Sequence, residues 1–343
     1  MSALPDGFDV LRSPVQRTWR SAGLTLRYRL YDHDGSAVPA RPLVILHHGW
    51  LDQGASWGPV ADRLARDFRV VVPDARGHGD SDWVGPGGAY WFPDYLLDLH
   101  NLVLALRADG LMGAESIDLI GHSMGGSVAA YFAGTFPEDV RRLVLIEGLG
   151  PPSEGPGLVA ARLHGFVSTT RAAWVKRDRV HATKDRADGD DAAPADVMAG
   201  QGDAARRLMQ ADRLLAAPVA LWLAGLATRP APGGNGWIWK SDPLHKARSG
   251  MPFVIDHARE LWSRIAAPTL VIDAERGFPA PDRAERLALI RDHRAVTLPH
   301  VGHNVHLHDP ARLAALISAH LLPMAPLGDA ERTKPGAGGD SAP

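Results

Sequence analysis

The 343 residues contain no cysteine, which excludes disulfides, thiolate metal sites and a cysteine nucleophile. Neither sign of charge dominates, since 37 Lys and Arg against 39 Asp and Glu leave a formal net charge of −2. No run of basic side chains forms a phosphate track, so nucleic acid is not an expected partner. No apolar stretch is long enough to span a bilayer, so neither is a membrane. The start of the chain carries Pro5, Asp6, Gly7 and Asp9 and lacks an apolar core. It does not read as a signal peptide, and the cytoplasm is the expected location.

What is present is a rhythm of short apolar runs separated by helical patterns, the signature of an α/β fold with a largely parallel sheet. Leu24 to Tyr31 alternates apolar and polar residues and reads as an early antiparallel strand. Buried strands are predicted at 43–46, 69–72, 116–120, 142–146, 269–272 and 295–298, with helices at 57–66, 95–106, 127–136, 282–291 and 310–322. Between Gly150 and Trp262 the rhythm breaks. That stretch holds helical patterns, the tryptophans Trp174, Trp222, Trp237, Trp239 and Trp262, a polar run at 184–191 and Pro/Gly turns at 230–236. The expected organisation is a core of residues 1–149 and 263–322 interrupted by a mainly helical cap at 150–262. A Pro-, Gly- and Ala-rich tail at 323–343 is expected to be disordered.

The most informative motif is Gly121-His122-Ser123-Met124-Gly125-Gly126, directly after the predicted strand at 116–120. A Gly-x-Ser-x-Gly between a strand and a helix is a nucleophile elbow, a turn so sharp that only residues without a Cβ fit beside the serine. Ser123 is the candidate nucleophile, placed at the positive end of the following helix. A serine hydroxyl needs a base, and the base needs an acid to set its tautomer. Such elbows are followed in the chain by the acid and then by a histidine. His303, after Gly302 and the last predicted strand, is the candidate base. Nearby, His300, His306 and His308 are rivals, of which His308 reads as a surface residue and His306 as packing or loop support.

The acid is less direct. The loop after the 269–272 strand reads Ala274-Glu275-Arg276-Gly277, with no aspartate where a Gly-x-x-Asp register would put one. Asp273 would continue the strand, its direction set by the pleat, and Glu275 sits off register. Glu147, where the apolar strand 142–146 emerges, is the favoured candidate, because a carboxylate there is costly unless paired. Asp273 and Glu275 stay open as alternatives. Backbone N–H groups of Met124 and Trp50 are the candidate oxyanion donors, with Gly49 allowing close approach. The Trp50 ring fits a pocket wall or core packing equally. The polar run from Asp74 to Ser81 reads as structural, with its side chains satisfying buried backbone groups.

His48-Gly49-Trp50-Leu51-Asp52, the elbow and Gly302-His303 together resemble the α/β-hydrolase fold family over residues 18–322. The first of these phrases resembles the serine hydrolase-like branch. Trp237-Ile238-Trp239-Lys240-Ser241-Asp242-Pro243 and the 274–277 loop fit bacterial members of that branch. Glu147 falls where one subfamily of haloalkane dehalogenases carries a catalytic glutamate. Those enzymes use an aspartate nucleophile, so the serine here excludes their alkyl-enzyme ester. The resemblance implies an α/β-hydrolase fold, and with the Ser-His-Glu set it leads to the expectation of a hydrolase of a carboxylic ester or lactone, working through an acyl-enzyme and requiring no metal or organic cofactor. The cap tryptophans suggest an apolar or aromatic acyl group. Carbon–carbon bond hydrolysis, acyl transfer, perhydrolysis and ligand binding with little turnover are the alternative readings.

Overall fold

The protein is described from a computed structural model covering residues 4–32, 41–182, 197–232 and 234–322. The polar run at 184–191 and the tail at 323–343 lie outside these residues. The chain opens with a hairpin, β1 (Val15–Ser21) and β2 (Leu24–Tyr31), followed by β3 (Leu43–His47), α1 (Gly58–Leu64), β4 (Arg69–Asp74) and α2 (Phe92–Ala108). The elbow unit follows as β5 (Ile117–His122) and α3 (Met124–Thr135), then β6 (Val140–Ile146). Next come α4 (Val159–Ala182), α5 (Gln201–Ala211), α6 (Ala217–Ala227) and a small hairpin of β7 (Thr228–Pro230) and β8 (Trp237–Trp239). The chain then returns through α7 (Ile255–Ser263), β9 (Thr269–Arg276), α8 (Arg283–Leu289), β10 (His293–Gly302), α9 (Val305–His308) and α10 (Pro310–Leu321).

Eight strands form one sheet in the order β1-β2-β4-β3-β5-β6-β9-β10. β1 and β2 join antiparallel, as does β2 to β4, and the other pairs are parallel. The short apolar runs work because both faces are covered. Side chains alternate strictly: Ile45, Leu119, Leu143 and Leu145 enter the core beneath α2, α3 and α7. Their neighbours Val44, Leu46, Ile120, Val144 and Ile146 enter the core beneath α1 and α10. Local chemistry sets the last helix boundary, where Asp309 caps α10 by accepting from Arg312 N at 3.1 Å and Pro310 occupies the first turn.

One element differs from the sequence expectation. α7 falls inside the 150–262 stretch, yet it packs on α3 and its Trp262 is fully buried in the sheet core. Trp262 is thus a core residue of the parent fold. The segment between β6 and α7 instead forms a separate cluster, with Met198, Ala204 and Leu223 packed against Trp222, Trp237 and Trp239, which Phe8 and Leu307 also join.

Candidate active site

β5 delivers Ser123 at the carboxyl edge of the sheet, and α3 begins at the next residue. The serine has φ 52° and ψ −116°, a conformation that costs a non-glycine residue about 1–3 kcal/mol. The neighbouring strand holds it there, with Ser123 N donating to Ile146 O at 2.9 Å. The flanking glycines are steric necessities. A Cβ on Gly121 would strike the Gly125 backbone, and one on Gly125 would strike the carbonyls of His47 and His48.

The loop after β10 brings His303 onto this serine. Its Nε2 lies 2.9 Å from Ser123 Oγ, and its Nδ1 lies 3.0 Å from Glu147 Oε2. With a neutral imidazole, Nδ1–H donates to the carboxylate and Nε2 accepts from the hydroxyl. Glu147 is the residue after β6, and its own backbone is left-handed at φ 50°. Its side chain is 1% exposed and accepts from Ala274 N and Phe278 N, each at 2.8 Å. Burial alone would raise the Glu147 pKa, but hydrogen bonds from His303 and the two backbone N–H groups outweigh it and hold the carboxyl below its ordinary value. Gly277 closes the cradle, since a Cβ there would overlap the Glu147 carboxylate.

The other two candidate carboxylates are engaged elsewhere. Asp273 lies within β9 and pairs with Arg283, whose Nε donates to it at 2.9 Å. Glu275 accepts from His300 N at 2.6 Å on the exposed side of the loop. Neither carboxylate is bonded to His303.

The turn after β3 presses on the elbow. A Cβ on Gly49 would come within 3.2 Å of Ser123 Cβ and 2.8 Å of His122 Nδ1, so only glycine lets the His48-Gly49-Trp50 segment approach this closely. Trp50 itself is 53% exposed, and its indole N–H donates to His245 O at 3.1 Å, which makes its ring a cleft wall and not core packing. Ser123, Met124 and His303 open onto a cavity of about 850 Å³ whose walls include Phe92, Tyr131 and Phe253. Trp222, Trp237 and Trp239 belong to the separate cluster shared with Phe8 and Leu307, so the aromatic rings nearest the site are not those the sequence suggested.

Four further histidines support the site and its loops. His306 stacks on Trp57 with ring centroids 4.1 Å apart and faces Asp52 Oδ2 at 3.3 Å. His122 Nε2 donates to His303 O at 2.8 Å, so the residue before the candidate nucleophile steadies the candidate base. Asp52, His122 and His306 present atoms within 4.8 Å of one another, the spacing of a metal site. The Trp57 indole N–H also donates to Asp52, at 3.1 Å, so a metal there would compete for a carboxylate that two side chains already share. His308 is not on the surface: its side chain is 6% exposed, accepts from Gly302 N at 3.1 Å and lies 3.1 Å from Asp212. Asp212 also accepts from Asn304 at 2.8 Å, tying the His303 loop to the end of α5. His78 accepts from Leu51 N at 3.2 Å, and Arg76 pairs with Asp98, in keeping with a structural role for the 74–81 run. Neither the cradle of Ala274, Gly277 and Phe278 nor the His308–Asp212 link was anticipated. The only sequence trace of the cradle is the glycine at 277, four residues past Asp273.

A family model described as the alpha/beta hydrolase fold matches residues 42–174. A serine hydrolase-like protein of Danio rerio is 27% identical over 297 residues, covering 83% of each chain. Another of that name from Homo sapiens is 35% identical over 106 residues, 31% of this chain and 49% of the relative. Among solved structures, the hypothetical protein PA1622 from Pseudomonas aeruginosa PAO1 matches with a TM-score of 0.69 at 26% identity, covering 90% of this chain and 98% of that one. A thioesterase domain from the curacin biosynthetic pathway shares the fold, with a TM-score of 0.68 at 24% identity over 89% and 99% of the two chains.

Proposed function

We propose that this chain, which has the α/β-hydrolase fold and resembles serine hydrolase-like proteins, is a serine hydrolase of carboxylic esters or lactones. The observation that carries the reading is the unbroken hydrogen-bond path from Ser123 Oγ through His303 to Glu147, with links of 2.9 and 3.0 Å. His303 Nε2 takes the serine proton as Oγ attacks the carbonyl carbon. The charge on the carbonyl oxygen meets the backbone N–H groups of Met124 and Trp50, each such donor contributing roughly 3 kcal/mol to the transition state. The intermediate collapses, His303 returns the proton to the departing alkoxide, and Ser123 keeps the acyl group. Water, deprotonated by His303, then releases the acid. Glu147 fixes the tautomer of His303 and stabilises its cationic form in both halves.

A fluorophosphonate probe tests this with the intact protein. The expected result is stoichiometric labelling of the wild type at Ser123 and none of Ser123→Ala. Failure of the wild type to label, or equal labelling of Ser123→Ala, rejects the reading.

A further inference from the structure

A second chamber of about 420 Å³ adjoins the large cavity, and Phe92, Met124 and Ser249 border both. Its walls are aromatic: Trp50, Tyr90, Trp91, Tyr95, Phe166 and His245. Several of these rings are locked from behind. Trp50 donates to His245 O, and the His245 ring stacks on His78 at 3.9 Å and on Tyr90 at 3.8 Å. The Tyr90 hydroxyl donates to Asp242 at 2.8 Å. Burial pushes His245 down to about 3, so it is a neutral ring at physiological pH. A rigid wall of this kind favours a flat apolar ligand group.

Two further features narrow the ligand. The cation bordering the chamber is already paired, since Arg248 donates to Glu154 at 3.1 Å, which argues for an uncharged ligand. Thr170, 5% exposed, also borders the chamber, and its hydroxyl has no hydrogen-bond partner among the described residues. A buried hydroxyl without a partner is unfavourable until something supplies one.

The orientation follows from the proton path. His303 borders the large cavity, and the departing oxygen must reach its Nε2, so the alcohol arm of an ester starts there. Of the proposed oxyanion donors, Met124 borders both cavities and Trp50 only the small chamber, which assigns that chamber to the acyl arm. The geometry points to an acyl subsite for an uncharged aromatic group of benzoyl or phenylacetyl size, carrying a hydrogen-bonding substituent that reaches Thr170. The acyl assignment rests on the serine hydrolase reading, whereas occupancy by an aromatic ligand does not.

Two measurements separate these layers. The first is titration of 4-hydroxyphenylacetamide into Ser123→Ala protein, followed by tryptophan fluorescence, which reads occupancy without turnover. Saturable binding is expected, weakened about tenfold or more by adding Ala247→Phe, which fills the chamber from its border. Thr170→Val should weaken it about fivefold and weaken phenylacetamide less. The second compares kcat/KM for 4-nitrophenyl phenylacetate and 4-nitrophenyl acetate. The wild type should prefer the aromatic ester by about tenfold, and Ala247→Phe should erase that preference. No saturable binding, or binding indifferent to Ala247→Phe, overturns the subsite. Binding that responds with an ester preference that does not overturns the acyl assignment. Intact binding with no hydrolysis of either ester rejects the serine hydrolase reading, and the acyl assignment with it, while the aromatic site stands.

Discussion

Glu147, just past β6, lies level with Asp273, inside the adjacent parallel strand β9, yet they do opposite things. Glu147 has just left its strand, takes a left-handed backbone and turns its carboxylate to His303. Asp273 is still within the pleat, where its direction is fixed, and it meets Arg283. Glu275, two residues on, is bound to the His300 backbone. Three carboxylates thus crowd one sheet edge, and backbone conformation decides which of them serves the histidine. The β9 segment still contributes: its Ala274 N–H and the nearby Phe278 N–H hold the Glu147 side chain. One strand supplies the candidate acid and its neighbour supplies the cradle.

The comparison is broken most severely by Glu147→Gln. This variant keeps the shape but cannot stabilise the imidazolium, and a loss of roughly 10³–10⁴-fold in kcat on a short-chain aryl ester is expected. Asp273→Asn should stay within about threefold of wild type in the same assay, since its carboxylate does not touch the histidine. Near-normal turnover by Glu147→Gln would move the acid to the 273–275 loop. Next in size is Gly277→Ala, whose added methyl overlaps the Glu147 carboxylate. Displacing that group by about an ångström should cost on the order of 10²-fold in kcat.

The comparison also extends to stability and pH. Because its folded pKa is depressed, Glu147 contributes stability that is present above its unfolded value near 4.5 and is lost as pH falls through the lower folded value. Acid titration of wild type and Glu147→Gln, followed by circular dichroism, should show the two stability curves converging only below that point. Asp273→Asn should lower thermal stability by about 1–2 kcal/mol, because the pair with Arg283 is partly screened by solvent. Glu275→Gln, half-exposed, should change stability by no more than about 0.5 kcal/mol.

Much of this edge was legible in the sequence because its signals are local. The elbow is six consecutive residues, His303 follows Gly302 and a strand, and Glu147 ends an apolar run. What was not legible depends on partners distant in the chain. β1 went unnoticed because only Trp19 and Ser21 of its seven residues are buried, too few for an alternating pattern. Trp262 looked like a cap residue until α7 was seen to pack on α3. His308 carries no sign in its neighbours that Asp212, from the insertion, would bury it. The same holds for Gly277, whose importance lies in a carboxylate from another strand.

The central claim is that Glu147 alone among these carboxylates accepts the hydrogen bond from His303 Nδ1–H. NMR of protein labelled with ¹⁵N in its histidine rings observes that proton directly. A downfield Nδ1–H resonance of His303 should persist in Asp273→Asn and in Glu275→Gln and should move upfield or vanish in Glu147→Gln. A resonance unchanged in Glu147→Gln, or lost in Asp273→Asn, would contradict the account.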